Sequence, residues 1–144
     1  MVTNLEKLLS LGFDAISKFS EEEMSYKKGV DKWSKKEILG HLIDSAVNNL
    51  QRFTEIQFSE QPYQIRNYNQ VALVSANDYQ NSEAEELLNF WLSINTRIKE
   101  VIKRQTDKTL SFKVKVNEDT IVDLSFLIED YINHINHHLQ QITN

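Results

Sequence analysis

Ser34-Lys35-Lys36-Glu37-Ile38-Leu39-Gly40-His41-Leu42-Ile43-Asp44-Ser45-Ala46-Val47-Asn48-Asn49-Leu50-Gln51-Arg52-Phe53 is the stretch on which the fold turns. Its first four residues fit a capping box, in which the serine oxygen accepts from the amide three residues on and the glutamate accepts from the serine amide. A long helix starts there. Behind the cap, Ile38, Leu39, Leu42, Ile43, Ala46, Val47, Leu50, Phe53 and Ile56 recur at helical spacing and form a stripe broad enough to face two neighbours. Such a helix belongs at the centre of a bundle.

Working outward, Val2 to Phe19 carries Leu5, Leu8, Leu9, Phe13 and Ile16 at the same period and predicts a first helix. Glu21 to Trp33 loses the pattern and holds Gly29, so a loop swinging over the end of the bundle is expected. After Pro62 the pattern breaks again. Arg66 to Tyr79 reads as a short irregular helix or an ordered loop built on Tyr68, Val71, Leu73 and Val74. Ser82 to Glu85 repeats the capping signature, and Leu87, Leu88, Phe90, Trp91, Ile94, Ile98, Val101 and Ile102 follow as a third long helix ending near Lys103 or Arg104. Leu110, Phe112, Val114 and Val116 then alternate with polar residues, and Asn117-Glu118-Asp119-Thr120 has turn composition. A short β-hairpin or an extended crossover is expected between the third and fourth long helices. Asp123 caps the last helix, which runs to about Ile142.

Composition bounds the answer. The 144 residues, 40% of them hydrophobic, predict one domain over 1–144 with its own core. One proline and three glycines favour long helices over a turn-rich β-sandwich, so the class is all-α, a four-helix bundle. With no cysteine, there is neither a disulfide framework nor a thiolate ligand, and any metal has nitrogen and oxygen donors. A net charge of −5 disfavours nucleic acid. No apolar run approaches the length of a membrane span and no basic-then-apolar leader opens the chain, so a cytoplasmic protein without membrane contact is expected.

The chemistry-bearing residues sit at the other end. Asp130-Tyr131-Ile132-Asn133-His134-Ile135-Asn136-His137-His138-Leu139-Gln140-Gln141-Ile142 holds three of the four histidines. Residues four apart share a helix face, so His134 and His138 can aim their rings at one point. Taken at about 100° per residue, Leu124, Ile128, Tyr131, Ile135, Leu139 and Ile142 define a buried stripe that has His138 on its side of His134. His137 falls on the other side, toward solvent. Zinc sites take at least three protein ligands, and the candidate third is His41. Its face carries Glu37, Ser45, Asn48 and Arg52, a polar strip far round from the apolar centre. Either that strip lines a wet groove between helices or it is outer surface; periodicity leaves both open.

Trp33 through Ser45, followed by Asn49, Arg52 and Phe53, resembles the second-helix signature of the DinB-like superfamily, and Asp130-Tyr131 through His134, His137-His138-Leu139 and Gln141-Ile142 resembles its last-helix signature. These two blocks cover about a quarter of the chain. The resemblance implies a four-helix bundle of the DinB-like type that holds a divalent metal, zinc or nickel foremost, on His41, His134 and His138. It also implies a transferase, of the bacillithiol-transferase kind, in which a metal-activated low-molecular-weight thiol, or water, attacks an electrophile.

Around that core, Asp44 and Asp130 are either orienting partners of the imidazoles or surface carboxylates. Asn48 and Arg52 are candidates for an anionic substrate or a thiol's carboxylate, with a surface salt bridge the alternative for Arg52. Tyr131 lies in the core stripe with a hydroxyl that can reach the site mouth, His137 is a further candidate, and Trp33 and Trp91 read as packing residues. Two other functions stay in view: a metal-binding stress-related sensor or carrier without turnover, and a metal-free structural dimer, a homodimer being the symmetry-based default.

Overall fold

The computed structural model describes all residues, 1–144. Four long helices form the bundle: α1 (Val2–Ser17), α3 (Lys35–Glu55), α5 (Ala84–Lys103) and α7 (Leu124–Thr143). α3 packs against α5 and α7, and so does α1, which makes α1/α3 and α5/α7 the diagonals. Both the α1–α3 and the α5–α7 connections therefore cross an end of the bundle. The core between the helices includes Leu5, Leu42, Phe53, Trp91, Ile98, Ile128 and Ile135.

Local signals set most of the boundaries. Ser34 accepts from the Glu37 amide at 3.1 Å and Glu37 accepts from the Ser34 amide at 3.1 Å, so the capping box that opens α3 is complete. Asp123 caps α7 by accepting from the Phe126 amide at 2.8 Å. Other expectations are revised. Glu21 to Trp33 is not all loop, because Ser20 and Glu23 close a second capping box and start the short helix α2 (Glu21–Ser25). The capping signature at Ser82 is not used: α5 starts after Glu83, which gives no side-chain cap. The Ala84 amide at that start is instead taken by the Glu21 carboxylate, from a distant part of the chain. The 66–79 region resolves into α4 (Gln70–Ala76), capped by Asn69, followed by a 3₁₀ turn over Tyr79–Asn81.

Between α5 and α7, a turn of helix α6 (Asp107–Leu110) leads into a hairpin of β2 (Lys113–Asn117) and β3 (Thr120–Asp123). Val114 pairs with Val122 and Lys115 with Ile121, and a register shift lies between Lys115 and Asn117. A third strand, β1 (Tyr63–Gln64), joins β2 in parallel through Tyr63–Val114 and Gln64–Lys115. This sheet ties the α3–α4 connection to the α5–α7 crossover. No helix is long and apolar enough to cross a membrane.

Candidate metal centre

α3 and α7 lie side by side, and their contact decides where the polar strip of α3 goes. Of that strip His41 and Ser45 are buried and Glu37, Asn48 and Arg52 half-buried, and the neighbouring Asp44 and Asn49 are buried too, so the strip faces a groove between helices rather than the outer surface. Across it stand His134 and His138, partly buried, one turn apart on α7. The ligand-type atoms of His41, His134 and His138 all lie within 4.8 Å of one another. His41 Nε2 is 3.2 Å from His134 Nε2, and the ring centroids are 5.0 Å (41–134), 4.7 Å (41–138) and 4.5 Å (134–138) apart, each pair near edge-to-face.

Electrostatics keeps these rings neutral. Burial, then mutual repulsion with His138 and His134, lowers the His41 pKa to about 4, and burial, then repulsion from His138 and His137, lowers His134 to about 4. His138 is also lowered, chiefly by burial, against the raising effect of its bond to Gln141. That bond joins His138 Nδ1 to Gln141 Oε1 at 2.8 Å; an amide oxygen only accepts, so Nδ1 carries the proton and Nε2 keeps its lone pair. Ser45 Oγ stands 3.5 Å from His134 Nδ1, at the long limit of a hydrogen bond. His41 Nδ1 is buried without a partner, and the Trp33 indole leans over that ring at 5.2 Å between centroids.

Three neutral rings crowd one point, with His41 Nε2 and His134 Nε2 at hydrogen-bond distance from each other and His41 Nδ1 left without a partner, an arrangement that a cation would complete. A tetrahedral ion with metal–nitrogen bonds of about 2.0–2.1 Å sets two nitrogens about 3.3 Å apart, close to the 3.2 Å between His41 and His134. The donor set suits a divalent metal with at least one position left open.

The remaining candidates separate. Asp44 turns away from the imidazoles: its Oδ1 accepts from the Tyr79 hydroxyl at 2.6 Å and from Asn77 Nδ2 at 2.9 Å. Burial raises its pKa against those two bonds. Tyr131 borders the cleft beside His134, but its hydroxyl turns inward and donates to Asn95 Oδ1 at 2.6 Å inside the core. Asn48 donates to the Asp44 carbonyl at 2.9 Å and lines the next groove rather than the histidine cleft. His137 is exposed and lies 3.4 Å from the Gln141 amide nitrogen. Asp130 and Arg52 do reach the site: with His134 they line a cleft of about 120 Å³ that also includes Ser45, Asn49 and Tyr68.

Sequence reasoning missed three contributors. Gln141, three residues past His138, carried a helical-spacing signal that was available. Trp33 read only as packing, and its packing is against His41. Tyr68 offered no local signal, because it reaches Arg52 from a separate connection, with the guanidinium 5.5 Å from its ring centroid.

Among solved structures, YfiT from Bacillus subtilis, described as a probable metal-dependent hydrolase with an unusual four-helix bundle topology, superposes with a TM-score of 0.87 at 21% identity over 99% of this chain and 81% of that one. A mycothiol-dependent maleylpyruvate isomerase gives 0.75 at 12% identity, over 98% of this chain and 58% of that one. A DinB-like protein from Bacillus cereus gives 0.64 at 18% identity, over 94% and 81%. No curated protein matches significantly in sequence. These likenesses establish the bundle topology, with its two diagonal crossings. The family model described as DinB superfamily aligns with residues 5–142, from the first turns of α1 to the end of α7, and the chain belongs to that superfamily.

Proposed function

We propose that this protein is a metal-dependent transferase in which His41, His134 and His138 hold one divalent cation, zinc or nickel, and a low-molecular-weight thiol is activated there for attack on an electrophilic small molecule. The supporting observation is the convergence of three neutral ring nitrogens from two helices within 4.8 Å. Bound there, the ion would keep its full charge among neutral ligands and lower the pKa of a thiol or water ligand toward neutrality. The chain supplies no thiol of its own, having no cysteine, so the sulfur belongs to a cosubstrate.

The chain's own residues prepare the site. Burial holds His41 and His134 neutral at physiological pH, so their lone pairs are available without displacing a proton. Gln141 fixes the tautomer of His138. Trp33 covers the His41 ring and limits water on that side. The cleft beside His134 gives a small molecule its approach. Two of the similar structures favour the two candidate nucleophiles separately: the isomerase is described as thiol-dependent and YfiT as a hydrolase.

Elemental analysis of protein purified without a histidine tag should find about one equivalent of divalent metal per chain, lost in His138→Ala. Thiols are then screened against electrophiles for released conjugate. Absence of metal, or an alanine variant as active as wild type, overturns the proposal. Metal without any turnover assigns a carrier or sensor, and hydrolysis that needs no thiol assigns water as the nucleophile.

A further inference from the structure

The cleft beside His134 is polar on its α3 side, with Leu127 and Tyr131 among the residues that complete its lining. Ser45, Asn49 and Arg52 follow one another on one face of α3. Ser45 stands at His134, and Arg52 lies seven residues further on, roughly 10 Å along the helix axis. At that far end the guanidinium is half-buried. It has one hydrogen bond to the protein, from Nη2 to the Arg66 carbonyl at 2.9 Å. Tyr68 faces it from the β1–α4 connection.

No ion pair of the chain includes Arg52; the four that form involve Lys27, Lys36, Lys99 and Lys115. Asp130, on the opposite wall of the cleft, and Glu55, in the adjoining groove, are the nearby carboxylates, and neither pairs with it. Asp130 is exposed, where solvent screens it. A guanidinium has five donors in a rigid fork that matches an oxyanion. A half-desolvated cation with one neutral acceptor is an incomplete arrangement, and the cleft that leads from it to the histidines is where completion can come from.

We propose that Arg52 anchors a carboxylate on the small molecule whose reacting atom lies at the three histidines, so that the ligand runs lengthwise along the cleft with its anionic end about two helical turns from its reacting end. This rests on the nucleophile reading given above and adds to it the chemical class of the substrate: an acid, not a neutral thiol.

The test uses 6-mercaptohexanoate and 6-mercaptohexanamide, which differ only in charge. In cobalt-loaded protein, sulfur-to-cobalt absorption reports binding of each. Wild type should bind the acid about 10- to 100-fold more tightly than the amide. Arg52→Gln should erase that ratio while leaving the amide's Kd in place, and Arg52→Lys should retain part of it. If Arg52 served only to hold the Arg66 carbonyl, its loss would weaken both ligands alike, and that result, or equal Kd values in wild type, overturns the anchor. A second readout is independent of metal: in metal-free protein the Arg52 Nε–H resonance should shift saturably with the acid and not with the amide. A response there with no cobalt–sulfur band from either thiol supports the anchor and rejects thiol activation. No response, with equal affinities in loaded protein, rejects the anchor itself.

Discussion

Gly40→Ala should destabilise the protein despite improving a helix. Gly40 lies inside α3, one residue before His41, and a Cβ there would sit 2.1 Å from Tyr79 Cδ2, 2.3 Å from Cγ and 2.7 Å from Cε2. Carbon atoms pack at about 3.5–4.0 Å. Spinning the ring about Cβ–Cγ leaves Cγ in place, and a χ1 change would take the ring out of its buried position, so either the ring or the whole Tyr79–Asn81 turn has to lift from α3. Lifting breaks the 2.6 Å bond from the Tyr79 hydroxyl to Asp44 Oδ1, on a carboxylate whose Oδ2 is already buried without a partner. Overpacking costs about 1–3 kcal/mol, and the loss of one of the two hydrogen bonds to the buried Asp44 carboxyl, with that from Asn77 remaining, roughly 1–3 kcal/mol more. Alanine's helix propensity offsets about 1 kcal/mol. The expected net loss is about 3 kcal/mol, within a range of about 1–5. Urea unfolding followed by far-ultraviolet circular dichroism measures it, alone and in a Tyr79→Ala background. Without the ring the clash is gone, so the same substitution should be neutral or stabilising by up to about 1 kcal/mol. A Gly40→Ala protein as stable as wild type, or an equal loss in both backgrounds, refutes the close approach.

Further outcomes follow from the site and the core. Gln141→Leu removes the acceptor of His138 Nδ1 and should weaken metal affinity by about 10- to 100-fold without changing the stoichiometry at saturation; chelator competition reads this, and an unchanged affinity rejects the orienting role. Protein stripped of divalent cations should lose stability as pH falls. His41 and His134 drop from 6.5 to about 4 on folding, so between those values the unfolded chain binds more protons. Stability is therefore level above about pH 6.5 and declines toward pH 4. Urea midpoints across that window check it, and a slope no shallower in a His41→Gln/His134→Gln variant contradicts the assignment. Tyr131→Phe leaves Asn95 Oδ1 buried without its donor and should cost about 1–3 kcal/mol. Adding Asn95→Leu should recover part of that loss, and a Tyr131→Phe melting temperature equal to wild type would show the bond to be worthless.

The long helices were legible because their causes are local. The apolar period of α3, the Ser34–Glu37 capping box and the Asp123 cap act within a few residues, and each is present as the sequence predicts. The β2–β3 hairpin was legible for the same reason, through its alternation and polar turn. The stripe on α7 also placed His137 outside, where it is. Other features have distant causes. The two-residue strand β1 exists only because Val114 and Lys115 lie beside it. The start of α5 is held by a Glu21 carboxylate that no window around Ser82 contains.

The candidate site divides along the same line. The sequence by itself determined which histidines share a helix face, because 3.6 residues per turn is a property of one helix. Whether the polar face of α3 meets water or another helix depends on which neighbour packs there, and that is settled by all four helices burying their apolar stripes at once. Only the tertiary structure therefore decided that His41 is buried against His134 and His138, that Asp44 serves Tyr79 instead of an imidazole, and that Arg52 ends a cleft that begins at His134. Periodicity reports a side chain's direction about its own axis; a shared site requires the relative position of two axes, which only packing supplies.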